Sequence, residues 1–221
     1  AALLFGEFRA RAGSAPLVRF FLGVFAMIGA LVFLGCPWRA ILRLAGGDWN
    51  ALIGIAGLAL GVGIGGALIK QGFSLGRSRE TFKVVGWLMP ALMVGILLLA
   101  LAQPAFILIS EKGPGSLHAP ILISLAVGLL IGFLAQRTRF CTMGAIRDFL
   151  LIRDTHLLLG LLTMLVTAFV ANLALGQFKP GFDAQPIAHS GHLWNFLCMV
   201  LAGLCFALAG GCPGRQLFLT G

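Results

Sequence analysis

The sequence predicts an all-α, polytopic transmembrane helical bundle with re-entrant half-helices and an inverted repeat. The first observation is composition: 59% of the 221 residues are hydrophobic, 10% are charged, and mean hydropathy is +1.01. A soluble domain of this length needs a much more charged surface. The second is a series of apolar runs that reach the roughly 20 residues needed to cross a bilayer. The third is a Gly-Cys-Pro motif that occurs twice.

Six apolar segments have the length of a spanning helix, and none shows the alternation of a barrel strand. We place them at residues 17–35, 49–69, 84–109, 117–136, 156–176 and 193–211. The turn Gly113-Pro114-Gly115 separates the third segment from the fourth. Pro90 and Pro104 lie inside the third segment, where we expect a kink.

The basic residues predict the orientation of these segments. With a cytoplasmic N-terminus, one side of the membrane receives twelve of the sixteen: Arg9, Arg11, Arg19, Lys70, Arg77, Arg79, Lys83, Arg137, Arg139, Arg147, Arg153 and Arg215. The other side receives Arg39, Arg43, Lys112 and Lys179. This bias follows the positive-inside rule, and the four Trp residues fall near helix ends as an aromatic belt requires. We therefore attribute the net charge of +9 to topology and expect no nucleic-acid partner.

These features predict a multi-pass protein of the bacterial inner (cytoplasmic) membrane, with the lipid bilayer as its surroundings. We treat residues 1–221 as a single transmembrane transport domain. The sequence begins without Met and stops at Gly221, just after a predicted helix start. The first residues also lack the pattern of a signal peptide. We expect a fragment that lacks both ends.

Three short stretches, 35–44, 140–153 and 211–221, do not fit simple spanning helices. Each is too short or too interrupted to cross a bilayer, and each directly follows a predicted span. Such pieces are typical of re-entrant half-helices that line a cavity within the protein.

Two of these stretches share a motif. GCPWR at 35–39 matches GCPGR at 211–215, and each copy follows an apolar, Gly-containing run. In the predicted topology the first copy lies on the outer side and the second on the inner side. Two copies that face opposite ways indicate an inverted-topology repeat, with elements near 17–44 and 193–221.

The order of residues in this motif has a chemical interpretation. Proline is favoured at the first position of a helix, which places Cys36 and Cys212 at helix N-caps. There a thiol meets free backbone N–H groups and the positive end of the helix dipole. Arg39 and Arg215, three positions on, add positive charge, so the motif suits an anion with a sulfur contact. The alternative is a small-residue helix start whose Arg anchors to lipid headgroups.

A third candidate is FCTMGAIRD at 140–148. Thr142 is expected to cap the short helix, which leaves Cys141 at its mouth. Arg147 and Asp148 lie in the following turns and pair with groups of the cavity wall. The alternative is an ordinary cytoplasmic loop.

The remaining cysteines and histidines carry weaker signals. Cys198, Cys205 and Cys212 recur every seven residues and would share one face of the sixth helix, although cysteine is also a common apolar filler. The chain has no Cys-x-x-Cys, so a disulfide-exchange motif is not supported. The four histidines are scattered, and His189 and His192 are expected to be solvated loop residues. We predict no metal site and no cofactor.

The segments GCPWRAILRLAGGDWNAL, RFCTMGAIRDF and GGCPGRQLFLTG, spread over nearly the whole chain, resemble the YeeE/YedE family of sulfur-transport membrane proteins. Within that family the chain looks most like the YedE branch associated with selenium metabolism. The resemblance implies an hourglass-shaped fold with re-entrant helices and transport of a small sulfur- or selenium-containing anion such as thiosulfate. It also implies a path of three cysteines, Cys36, Cys141 and Cys212.

On this hypothesis the protein is a transporter and not an enzyme. Arg39, Arg215 and Arg147 would stabilise the anion, and a cytoplasmic sulfur-acceptor protein is a candidate partner. Two alternatives stay open at this point. One is a membrane thiol oxidoreductase or sulfurtransferase, which needs a mobile cysteine pair or a cofactor site. The other is a structural or assembly subunit whose motif cysteines tolerate substitution.

Overall fold

The computed structural model describes residues 11–104, 106–107, 116 and 119–220, and it confirms the all-α prediction. The helices are α1 Pro16–Phe33, α2 Pro37–Ala45, α3 Asn50–Lys70, α4 Lys83–Ala102, α5 Ile121–Thr138, α6 Thr142–Ile152, α7 His156–Ala174, α8 His192–Ala209 and α9 Pro213–Thr220. Two strands of two residues each, β1 Arg11–Ala12 and β2 Arg79–Glu80, complete the described elements.

Six helical segments in the described part of the chain are long and apolar enough to cross a membrane, as predicted. They are Pro16–Ala45, Asn50–Lys70, Val84–Ala102, Ile121–Ile152, His156–Ala174 and His192–Gln216. Three of the six contain a break, because α1 is followed by α2, α5 by α6 and α8 by α9. The predicted short helical pieces are thus confirmed as separate helices.

The third predicted span differs from the observed helix at its end. Pro90 lies inside α4 as expected, but α4 ends at Ala102, so the prediction that Pro104 is inside the helix is wrong. Gln103 ends the helix in the left-handed conformation. A helix that stops just before Pro104 avoids the loss of a backbone hydrogen bond that an interior proline imposes. The turn Gly113-Pro114-Gly115 lies outside the described residues, as do Arg9 and Lys112.

The chain folds into two compact units, of which the larger comprises residues 15–76 and 140–215. Its centre is the close packing of α3 with α8. A Cβ on Gly57 would meet the backbone of Phe196, and a Cβ on Gly65 would come within 2.6 Å of the Ala207 Cβ. Residue numbers rise together on both helices, so α3 and α8 run parallel. Small residues are what allow helix backbones to approach this closely in lipid.

Helix α1 packs against the same helix α8 but runs antiparallel to it. Near the start of α1, Arg19 Nη1 donates to the Ala209 carbonyl oxygen at 3.3 Å. Near its end, the Val32 carbonyl oxygen lies 2.7 Å from His189 Nε2, just before α8 begins. The helix that precedes the first Gly-Cys-Pro motif and the helix that precedes the second therefore point in opposite directions.

A buried polar cluster fixes the turn between α2 and α3. Arg43 Nε donates to Asp48 Oδ2 at 2.7 Å, and Arg43 Nη1 donates to the Phe33 carbonyl oxygen at 2.9 Å. The second carboxylate oxygen of Asp48 accepts the Asn50 backbone N–H at 2.9 Å. Asn50 Nδ2 in turn donates to the Phe182 carbonyl oxygen at 2.7 Å. The sequence prediction treated Arg43 only as a topology charge, whereas the structure gives it a buried partner.

The smaller unit comprises the described residues within 11–14, 77–139 and 216–220. It contains α4, α5 and a short antiparallel ribbon in which Arg11 pairs with Glu80 and Ala12 with Arg79. The ribbon was not predicted, because two residues are too few to show a strand periodicity. Other parts of the protein do not bury the apolar side chains of α4, and this exposure suits contact with lipid.

Candidate functional site

The three helix breaks share one backbone geometry. Helices α1, α5 and α8 each end with a residue in the left-handed conformation: Leu34 at φ 61°, Arg139 at φ 52° and Gly210 at φ 89°. In every case a cysteine lies two residues after this left-handed residue, and the following helix begins directly after that cysteine. A left-handed residue is a common way to end a helix, because it turns the chain while satisfying the last carbonyls. The breaks therefore place three cysteines at equivalent positions.

Each of these cysteines lies at the start of a short helix. Cys36 is the N-cap of α2 and Pro37 its first residue, as the motif predicts. Cys212 immediately precedes α9, which begins at Pro213. Cys141 is the N-cap of α6, and its Sγ accepts the Gly144 backbone N–H at 3.3 Å. The expectation that Thr142 is the cap is wrong, because the extended backbone of Cys141 places its sulfur over that N–H.

The structure brings Cys141 and Cys212 together. Their thiols lie in hydrogen-bonding contact with each other. The backbone N–H of Cys212 also faces the Cys141 sulfur, and the backbone N–H of Thr142 faces the Cys212 sulfur. Both cysteines are 1% exposed. Two helix N-termini thus bring their thiols close together, although 70 residues separate them in the sequence.

A small recess opens beside this pair. Its volume is about 10 Å³, which is room for about one water molecule. The lining combines one thiol, two guanidinium-bearing side chains and small or apolar residues of α6 and the α8–α9 break: Cys141, Met143, Gly144, Arg147, Phe206, Ala207, Gly210, Gly211 and Arg215. Three of the six residues predicted for an anion path, Cys141, Arg147 and Arg215, therefore line one cavity.

The two arginines of the recess differ in how their charge is balanced. Arg147 Nε and Nη2 both lie 2.8 Å from Asp148 Oδ1, so its charge is partly compensated. No acidic side chain among the described residues forms an ion pair with Arg215. Arg215 also lies close enough to Cys141 for its charge to act on that sulfur. Arg215 is thus the stronger anion-attracting group at this cavity.

Cys36 and Arg39 do not line the recess. Cys36 is partly exposed, and Arg39 is exposed with its side chain folded over Gly35, where a Cβ would lie 3.0 Å from Arg39 Cδ. Trp38 of the first Gly-Cys-Pro motif contacts both other cysteine-containing segments. Its indole stacks edge-on against Phe140, with ring centroids 5.4 Å apart. It also covers Gly214, where a Cβ would lie 3.5 Å from the indole.

The role of Trp38 was missed at the sequence level, where it was placed only in the aromatic belt. A signal for it exists in the repeat. Trp38 and Gly214 occupy the same position in the two Gly-Cys-Pro motifs, one with a very large side chain and one with none. In the structure these two positions pack against each other.

Cys198, Cys205, His189 and His192 lie in packing or hydrogen-bonding contacts away from the recess. Cys205 is buried within the apolar core, and the carbonyl oxygen of Cys198 lies against Gly29 where α1 meets α8. Helix α8 ends at Ala209, so the expectation that Cys212 shares its face is wrong. His189 contacts the end of α1, and His192 stacks on Phe182 at 5.0 Å. Among the described residues, no three His, Cys, Asp or Glu side chains are grouped so as to hold a metal ion.

Comparison with known proteins gives one informative relative. The thiosulfate transporter TsuA of Escherichia coli (strain K12) is 32% identical over 105 residues, which is 46% of this chain and 28% of TsuA. No family model and no solved structure matches the chain. The similarity supports the resemblance to YeeE/YedE-type sulfur transporters, and the relative is named as a transporter and not as an enzyme. The match spans less than a third of that relative's length.

Proposed function

We propose that this chain forms the substrate path of a bacterial inner-membrane transporter for a small sulfur anion of the thiosulfate type. The anion would contact Cys36, Cys141 and Cys212 in turn. The observation that carries the proposal is the pair of neighbouring thiols at two helix N-termini, beside a recess lined by Arg147 and Arg215. The similarity to a named thiosulfate transporter points to the same class of substrate.

The chemistry of the recess suits an anion that must leave water. Moving a charged group into an apolar interior is costly unless hydrogen bonds and opposite charge replace its hydration. Here the first N–H groups of a short helix, the dipoles of two helices and the charge of Arg215 are available. The thiols add S–H groups that can donate to a terminal sulfur or selenium atom without a lasting covalent bond.

The antiparallel packing of α1 and α8 supports an inverted repeat for these two elements. In such a repeat the two Gly-Cys-Pro motifs approach one substrate path from opposite sides of the membrane. Cys36 would then receive the anion on the outer side, and the Cys141–Cys212 pair would receive it next. The recess holds about one water molecule, so passage requires a local opening of its lining.

The finer features of the substrate are part of the proposal. Selenium-containing analogues of thiosulfate have the same charge and a softer terminal atom, so the thiol path accommodates them as well. A cytoplasmic sulfur-acceptor protein would take up the product on the inner side.

Uptake of radiolabelled thiosulfate by the protein in proteoliposomes tests the relay. We expect Cys36→Ala, Cys141→Ala and Cys212→Ala each to abolish uptake without unfolding the protein. Cys205→Ala is the matched control, because this cysteine is nearly as buried as Cys141 and Cys212 but lies within α8 in the apolar core and not at a helix start. Wild-type rates from all three path variants would refute the relay. Selenosulfate measured in parallel separates a sulfur preference from a selenium preference.

One observation favours a second candidate, a membrane thiol oxidoreductase. This alternative needs a cysteine pair, and the Cys141 and Cys212 thiols are in contact. In a balanced reaction the two thiols would form a disulfide while thiosulfate is reduced and cleaved to hydrosulfide and hydrogen sulfite. Release of sulfite that scales with a Cys141–Cys212 disulfide, detected by mass spectrometry, would favour the enzyme. Intact thiosulfate inside the vesicles would favour the transporter.

A further inference from the structure

We infer that the Thr142 hydroxyl is a specificity-determining group that hydrogen-bonds the oxygen atoms of the transported anion. This inference rests on the proposed function and adds to it a residue that neither the cysteine path nor the arginines include. Three observations support it: Thr142 is buried, its hydroxyl has no hydrogen-bond partner among the described residues, and it directly follows Cys141 with its backbone N–H on the Cys212 sulfur.

Thr142 is 1% exposed, and its Oγ1 has no hydrogen-bond partner among the residues that the structure describes. Two other threonines show what is unusual here. Thr138 and Thr163 each donate to the carbonyl oxygen four residues earlier, at 2.8 Å. Thr142 has no such acceptor in its own helix, because it is the first residue of α6. The helix break that positions the thiol therefore also leaves this hydroxyl available.

The position of Thr142 ties this hydroxyl to the thiol pair. Thr142 directly follows Cys141, and its backbone N–H faces the Cys212 sulfur. A buried hydroxyl without a partner is destabilising, and native proteins rarely keep one that no water or ligand satisfies. The groups around the adjoining thiol pair are hydrogen-bond donors and the cation Arg215. The missing partner is therefore best supplied by an anion that carries oxygen acceptors.

A thiosulfate-like ion matches this arrangement because its two ends differ. Its terminal sulfur contacts the thiols, and a sulfonate oxygen accepts the Thr142 O–H. A site that hydrogen-bonds a polar substrate group discriminates strongly, because a substrate that lacks the group leaves the site's own polar atoms unpaired. Thr142 would thus favour oxygen-bearing sulfur anions over hydrosulfide.

The test compares Thr142→Val, which removes the hydroxyl at nearly constant shape, with Thr142→Ser, which keeps it. Uptake of radiolabelled thiosulfate by proteoliposomes gives KM and maximal rate. We expect Thr142→Val to raise KM about tenfold or more while thermal stability stays at or above wild type. Thr142→Ser should stay within about threefold of wild type. The control Thr163→Val should leave KM unchanged.

A KM for Thr142→Val within twofold of wild type overturns this inference and leaves the proposed function standing. The same holds if Thr142→Val and Thr142→Ala both lose stability and transport together. Thr142→Ala is the second variant in case valine packs poorly, and the same KM increase is expected from it. A wild-type protein that takes up no thiosulfate overturns both the proposed function and this inference. Inhibition of thiosulfate uptake by unlabelled hydrosulfide should be stronger for Thr142→Val than for wild type.

Discussion

Gly203 lies where α8 meets α3, and its replacement by alanine tests whether close backbone approach holds these helices together. A Cβ at this position would lie 2.5 Å from the Leu58 carbonyl oxygen and 3.2 Å from the Val62 nitrogen. Ordinary contacts of a Cβ begin near 3.4 Å. The two backbones would therefore have to separate by about 0.9 Å, and overpacking of this kind costs about 1–3 kcal/mol.

Gly63→Ala, on α3, is the matched control, because its Cβ would meet only the Leu150 Cδ1 at 3.8 Å. Both substitutions gain about 1 kcal/mol of helix propensity, which cancels in the comparison. We expect Gly203→Ala to be about 1–3 kcal/mol less stable than Gly63→Ala, a roughly 5- to 150-fold difference in the unfolding equilibrium constant. Reversible unfolding in bicelles by SDS titration measures this difference. Equal stability of the two variants would refute the packing argument.

Three further predictions concern the site and its supports. Cys141→Ser and Cys141→Ala should both lose thiosulfate uptake. Only Cys141→Ala should also lose the helix N-cap, at a cost of about 0.5–2 kcal/mol in the free energy of unfolding. Equal unfolding free energies of the two variants would contradict the cap. Asp48→Asn leaves Arg43 as an unpaired buried charge, which should lower the free energy of unfolding by about 3–5 kcal/mol. Glu80→Gln removes an exposed ion pair at 3.9 Å. This control should lower the same quantity by less than about 1 kcal/mol. Denaturation of both variants checks this, and similar losses would contradict it. A Cβ at Gly210 would meet no atom within 4 Å, but the backbone there has φ 89°. Gly210→Ala should therefore lose about 1–2 kcal/mol of stability from backbone strain alone. Thermal unfolding measures this loss, and an unchanged stability would contradict the strain.

The lipid environment made much of the fold predictable from the sequence. A spanning helix must satisfy its own backbone and expose apolar side chains, so length and hydropathy locate it directly. The predicted span at 156–176 and the observed helix His156–Ala174 differ by only two residues. The end of α4 was missed because the apolar sequence continues past Pro104, whereas α4 ends at Ala102.

The helix breaks were predictable in position but not in geometry. Gly-Cys-Pro identified where α2 and α9 begin, because proline favours a first helical position. The break before α6 has no proline, and Thr142 was expected to cap where Cys141 does. A thiol and a hydroxyl compete for the same N–H, and backbone conformation decides between them.

Local sequence was enough to predict a helical membrane protein with three short helices that each follow a cysteine, because hydropathy and the preferences of helix starts depend on neighbouring residues. Which cysteines come together depended on the packing of whole helices. This packing joined Cys141 to Cys212 and left Cys36 outside the recess, linked through Trp38. It also turned Arg43 from a topology charge into half of a buried ion pair. Contacts between residues so far apart in the chain depend on how whole helices pack, and no local pattern specifies that packing.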